Sequence, residues 1–291
     1  MTVRPAYLSA LILAAALGAG CDVHVGENGV SVDVAGGKAT DEWSRTYTLP
    51  KGGALEISNT NGAIVVNAGT GPQVEVKATR TAKASSDEEA QALLKETSIS
   101  EDVTPARVVI QTNGKGFQFG RRSMNVEYRV SVPAGLQITV RTENGGIGLH
   151  DADGTFAASI TNGGIRGTNL SGQVSAHAVN GGIVLDLARV GGPTTLDTVN
   201  GGIRVNLPSD ANVDVEASAV NGGVSSDAAL GLTGVEKSRQ RMSGKLNAGG
   251  TKITASTVNG GVRFVGRTAG QSDKEAFDEA GPIIVEKKLK Q

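Results

Sequence analysis

Between Thr46 and Val265 the chain alternates apolar and polar residues in short runs broken by glycine clusters, the period-two signature of strands with one face in a core. The alternation also repeats on a longer scale. Asn-Gly-Gly stands at Asn144, Asn162, Asn180, Asn200, Asn221 and Asn259, in steps of 18, 18, 20, 21 and 38 residues, and a degenerate Asn-Gly-Ala stands at Asn61. Three residues after each asparagine comes Ile147, Ile165, Ile183, Ile203, Val224 or Val262, with Ile64 in the early copy. Four before it come Val140, Ala158, Ala176, Leu196, Ala217 and Ala255, with Ile57. Six before it come Ile138, Phe156, Val174, Thr194, Val215 and Ile253, with Leu55. These mostly apolar columns predict inward-facing positions. Further turn signals, DADG, LSG and VGG, lie midway between the marks, so each unit reads as two short strands and two corners. One unit cannot bury its own apolar face; stacked neighbours supply that burial.

Two topologies satisfy the pattern. Asn-Gly between alternating apolar residues is a strong hairpin signal, so an antiparallel meander closing into a barrel is one of them. The other is a parallel β-solenoid, in which equivalent positions of successive coils lie in register about 4.8 Å apart. The solenoid favours like residues in each column, and the columns are alike. The expected fold is therefore all-β, a parallel β-helix-like body. In it Asn144, Asn162, Asn180, Asn200, Asn221 and Asn259 form a structural ladder of amides, and the glycines beside them supply positive φ and let neighbouring corners approach.

The period changes once before this array. In SSDEEAQALLKETS, Ser86 is followed three residues later by Glu89, a capping box, and Ala90, Leu93 and Leu94 fall on one side, which predicts a single short helix. The spacing also breaks between Asn221 and Asn259, where DAALGLTGVEKSRQRMSGKLNAGG replaces a short corner. A loop followed by a strand rejoining at TKITASTV is expected there. Beyond Phe264 the repeat is lost, and a short helix over Asp273 to Ala280 with a charged tail is expected as a cap or a free end.

The first twenty residues have a different composition. One charge, Arg4, precedes an apolar run from about Pro5 to Gly20, short for a membrane span and suited to an export signal. Cys21 is the only cysteine, so no internal disulfide can form. The run resembles the lipobox of bacterial lipoproteins, with Leu17 four residues before the cysteine and Gly18 where leucine usually stands. That resemblance implies acylation of Cys21 and cleavage before it. The expected layout is a signal peptide over 1–20, a polar Gly-rich tether over 21–45, the solenoid over 46–265 and a C-terminal cap or tail over 266–291.

Composition narrows the chemistry. Aromatic residues make up 3% and there are 41 glycines, so the core must be built from small aliphatics. Twenty-eight basic residues nearly cancel 29 acidic ones, and no basic stripe is interleaved with aromatics, which argues against nucleic acid as a partner. His24, His150 and His177 fit no metal-ligand spacing, and CxxC, HExxH, phosphate-loop and Gly-x-Ser-x-Gly motifs are missing. No metal, cofactor or catalytic set is expected. If positions three and five after each asparagine point inward, positions four and six point outward. The first outward column reads Gly148, Arg166, Val184, Arg204, Ser225 and Arg263; the second reads His150, Thr168, Asp186, Asn206, Asp227 and Val265. Arg166, Arg204 and Arg263 are the candidate binding residues, for an anionic glycan or peptide. Asp186 and Asp227, two coils or about 9.6 Å apart, form the carboxylate pair that a polysaccharide-cleaving β-helix could use. Neighbouring arginines would depress a general acid there, and no aromatic platform stands by to hold a sugar. The outward face before each asparagine, with Ser159, Ser175, Thr195, Ser218, Thr254 and Ser256, is flat and small.

LPKGGALEISNTNGAIVV, VPAGLQITVRTENGGI, the serial VNGGI phrases and SGKLNAGGTKITASTVNGGVRF together resemble the bacterial putative-adhesin domain of unknown function, a β-strand-repeat family, over about Thr46 to Val265. The resemblance implies an exported, membrane-associated, parallel β-helix-like body and brings no catalytic residues. The functional expectation is a cell-envelope lipoprotein whose solenoid is a non-catalytic adhesion or ligand-binding module, with an envelope protein or glycan as partner and the membrane engaged through acylated Cys21. Self-association of exposed end coils into a structural scaffold is the alternative, and a polysaccharide-active enzyme is the third reading.

Overall fold

Eight coils stack in the computed structural model, which describes residues 36–114 and 122–267 together with the backbone of the antiparallel pair Cys21–Gly26 and Gly29–Val34. Each coil places one strand before its corner and one after it. In stacking order, the first coil holds Arg107–Asn113 and Ser123–Val132, the second Ala54–Asn61 and Ile64–Ala68, and the third Leu136–Asn144 and Ile147–His150. The fourth holds Asp153–Asn162 and the first half of Ile165–Asn180; the fifth takes the second half of that strand and Ile183–Val190. Thr194–Asn200 with Ile203–Pro208 makes the sixth. Every coil-to-coil pairing in both runs of strands is parallel. That decides between the two topologies: the body is a solenoid.

The register follows from the columns. Ile138 lies opposite Phe156 and Leu55, Val140 opposite Ala158 and Ile57, and Ile147 opposite Ile165 and Ile64. All members of the three inward columns are buried, Thr194 included. Fully burying a leucine, isoleucine or valine is worth roughly 1.5–3 kcal/mol before chain entropy is counted, and a one-residue slip would turn a whole strand's apolar set to water. The columns therefore fix the register strand by strand.

Stacking order departs from chain order at both ends. The seventh coil is Thr251–Asn259 with Val262–Arg267, and the eighth is Val213–Asn221 with Val224–Ser226. After leaving the sixth coil the chain skips a place and builds the eighth. It then returns through the antiparallel hairpin Thr233–Lys237 and Arg241–Leu246 and inserts the seventh coil between its neighbours. The long step from Asn221 to Asn259 is this excursion. At the other end the first coil follows the second in sequence, after an insert that carries the helix.

Antiparallel strands close the stack. Ser98–Val103 covers the first coil on one side, and Val74–Ala84 covers it on the other. Gly37–Tyr47 pairs along the whole of Val74–Ala84, so the sheet begins at Gly37, inside the stretch that the sequence suggested as a tether. Its alternation was hidden because Asp41 and Arg45 share the inward face with Ala39, Trp43 and Tyr47. The helix spans Asp87–Glu96; the Ser86 hydroxyl accepts from the Glu89 amide at 3.3 Å, and Ala90 and Leu93 pack on Ala82 and Ala84. The leader expected over 1–20, the helix expected over Asp273 to Ala280 and the charged tail lie outside the described residues.

Candidate functional site

The Asn-Gly corners line up along one edge. Asn144 donates from Nδ2 to Oδ1 of Asn61, Asn162 to Asn144, Asn180 to Asn162, Asn200 to Asn180, Asn259 to Asn200 and Asn221 to Asn259, at 2.7–3.0 Å. Backbone bonds run the opposite way, as from Gly145 N to Asn162 O at 3.0 Å. The first glycine of the corner has two reasons to be glycine. At Gly163 φ is +134°, and a Cβ would sit 1.7 Å from the Gly145 carbonyl oxygen; at Gly181 close approach alone suffices, 1.7 Å from Gly163 O. The second position is roomier, and Ala63 occupies it in the second coil. These asparagines use their amides on each other.

Outside the core, beyond the corner, lies a basic column. Arg166 pairs in register with Gly148 and Val184, Val184 with Arg204, and Arg204 with Arg263. The inserted seventh coil thus makes Arg204 and Arg263 direct neighbours. In the other direction the column continues from Gly148 to Val65, Arg129 and Lys77. It reads Lys77, Arg129, Val65, Gly148, Arg166, Val184, Arg204, Arg263, Ser225, with no carboxylate. Arg129 and Lys77 escaped the sequence reading because their strands carry no Asn-Gly-Gly mark; Tyr128 in the Ile64 column, followed by Arg129, was the available signal. Opposed like charges destabilise a sheet unless something neutralises them. Arg204 donates to Asn206 Oδ1 at 3.3 Å, and Arg263 stands 4.0 Å from Asp227, an exposed contact that contributes little. His150 flanks the column. Burial pushes its imidazole below the ordinary value, Asp151 opposes that, and the Arg166 guanidinium lowers it further.

The second outward column needs a correction. Alternation does turn Asp186 away from the core, between buried Leu185 and Leu187, yet the side chain is fully buried. Its cover comes from residues remote in sequence. Arg267, at the end of the inserted seventh coil, reaches Asp186 at 3.2 Å and donates to Asn169 Oδ1 at 2.9 Å, while the Asn169 amide donates to Asp186 at 3.2 Å. Asp227 belongs to the eighth coil, three steps or about 14 Å along the stack, and caps the short 3-10 turn Ala228–Leu230. The structure does not bring these two carboxylates together as an accessible pair.

Fold and corner geometry define the class: a parallel β-solenoid with an amide-laddered corner and antiparallel caps. The family model described as Toastrack DUF4097 matches residues 48–264, and the chain belongs to that family. Among solved structures, a putative cell adhesion protein from Clostridium sporogenes ATCC 15579 is similar at 13% identity and TM-score 0.46, over 79% of this chain and 100% of the other. A putative adhesin from Bacteroides fragilis NCTC 9343 is similar at 11% identity and TM-score 0.27, over 78% and 97%. Another, from Parabacteroides merdae ATCC 43184, shows 7% identity and TM-score 0.31, over 77% and 95%. Comparison with curated proteins finds no match.

Proposed function

We propose that the protein is a non-catalytic adhesion module of the bacterial cell envelope, exported, held at the membrane through acylated Cys21, and binding an extended polyanion such as an acidic glycan along its basic column. The observation that carries this reading is the register itself. Lys77, Arg129, Arg166, Arg204 and Arg263 stand in one column across the strands, over about 34 Å at strand spacing, with no carboxylate among them. A polyanion laid across the strands meets a cation at several steps and neutralises the opposed pair Arg204 and Arg263. The scaffold reading is less favoured, because antiparallel strands cover the pre-corner faces of the first and eighth coils, where the next parallel coil would add.

The test is binding to an immobilised acidic glycan, followed against salt. The double substitution Arg204→Ser with Arg263→Ser is expected to weaken binding about tenfold, since an exposed charge contact is worth up to ~1 kcal/mol, and to flatten the salt dependence. Bound anion beside Arg166 also removes part of the field that depresses His150, so its imidazole pKa is expected to rise on binding, read by NMR titration. Equal binding by the double variant would reject the column as the site. The anchor is checked separately: a fatty-acid label should be incorporated and should disappear with Cys21→Ser.

A further inference from the structure

Where the amide ladder ends, a cavity of about 410 Å³ opens beside the second coil's corner, within the range of small-molecule sites. Leu93 from the helix and Met124 give it apolar wall; Asn59, Asn61 and Arg122 give it polar wall. Three polar atoms of those residues have no partner among the described residues. Arg122 Nε is enclosed and donates to nothing. Asn59, 7% exposed, donates from Nδ2 to the carbonyls of Asn61, Gly62 and Val126 at 3.1, 3.3 and 2.8 Å, and its Oδ1 accepts nothing. Asn61 accepts the Asn144 amide on Oδ1, while its own Nδ2 has no acceptor.

The ladder gives these orphans a direction. Every Nδ2 donates toward the second coil, so the aligned amide dipoles terminate on the Asn61 N–H group at the cavity. Beside it stands the Arg122 guanidinium, whose enclosed Nε is a spare donor, and a buried donor left unpaired is costly. We infer that the cavity binds a small organic carboxylate with a short aliphatic body and a hydroxyl next to the carboxyl group. The carboxylate accepts from Arg122 Nε and Asn61 Nδ2, the hydroxyl donates to Asn59 Oδ1, and the aliphatic body lies on Leu93 and Met124. This site lies apart from the basic column.

The chain has three methionines, which makes the test direct. Met124 lines the cavity, and Met242 is buried on the capping strand at the opposite end of the stack, where it serves as an internal reference. With the full chain labelled at its methionine methyls, 2-hydroxyhexanoate is expected to shift the Met124 signal saturably and leave Met242 in place. 1,2-Hexanediol, which lacks the carboxylate, and the variant Arg122→Gln should each bind at least about tenfold more weakly, the loss of one charge-assisted contact. An unmoved Met124 signal would overturn the proposal. So would equal binding of the diol, or an Arg122→Gln variant that keeps its Met242 signal and binds as tightly as the parent. None of these outcomes bears on glycan binding.

Discussion

At the scale of single residues, the corner glycines are the most demanding positions in the chain. Gly163 combines a left-handed φ with a carbonyl oxygen 1.7 Å from where a Cβ would stand, so even alanine must displace backbone in two coils. Gly163→Ala is therefore expected to destabilise by about 3 kcal/mol or more, read as a lowered denaturation midpoint, whereas Gly164→Ala, with its nearest contact at 3.3 Å, should cost far less. Similar losses at both positions would show that glycine is needed there for general flexibility and not for the approach of one corner to the next. The corner residues were legible in the sequence because each copy states the same local requirement. Asp186 was legible only in part. Its direction followed from alternation, but its burial depends on Arg267, and no local pattern links those two residues.

That link is the main event at the scale of elements. Val262–Arg267 lies beside Ile203–Pro208, which lies beside Ile183–Val190, so Arg267 reaches across one strand to ion-pair with a carboxylate of zero exposure. The same guanidinium holds Asn169, a non-glycine residue at φ +53° in the fourth-to-fifth corner. Removing one partner of a buried ion pair strands the other charge, at about 3 kcal/mol or more. Arg267→Met is expected to destabilise by about that amount, and Arg267→Met combined with Asp186→Leu to recover much of it, because the second change removes the buried carboxylate that Arg267 had balanced. A double variant no more stable than the single one would locate the cost in Asn169 or in strand pairing. The strands themselves were well marked in the sequence, and so was the helix, whose cap and apolar face are local features. The strand Gly37–Tyr47 was missed since Asp41 and Arg45 stand on the same face as Ala39, Trp43 and Tyr47, and their partners Arg80 and Glu101 lie on strands remote in sequence.

For the whole molecule, the unexpected feature is the order of the last two coils, and the reason it was illegible bears on how the chain folds. Their columns are interchangeable: Val215, Ala217 and Val224 in the eighth coil do the work of Ile253, Ala255 and Val262 in the seventh. Nothing in the apolar pattern says which of them docks on the sixth. During synthesis the eighth coil appears first, when the sixth coil, Thr194–Asn200 with Ile203–Pro208, offers its parallel edge, so the eighth should dock there and later be displaced by the seventh. A chain ending at Leu246 isolates that early state. In the complete fold Thr195 lies opposite Thr254, and Thr254 opposite Glu216, so Thr195 and Glu216 are two strands or about 9.6 Å apart, beyond the span of a disulfide. In the shortened chain the same two positions would be direct neighbours at about 4.8 Å. With Cys21 replaced by serine, the pair Thr195→Cys and Glu216→Cys is therefore expected to cross-link under mild oxidation in the chain ending at Leu246 and to stay reduced in the complete chain. If the shortened chain also stays reduced, the eighth coil waits undocked until the seventh is made, and the capping hairpin, not column matching, sets the final order.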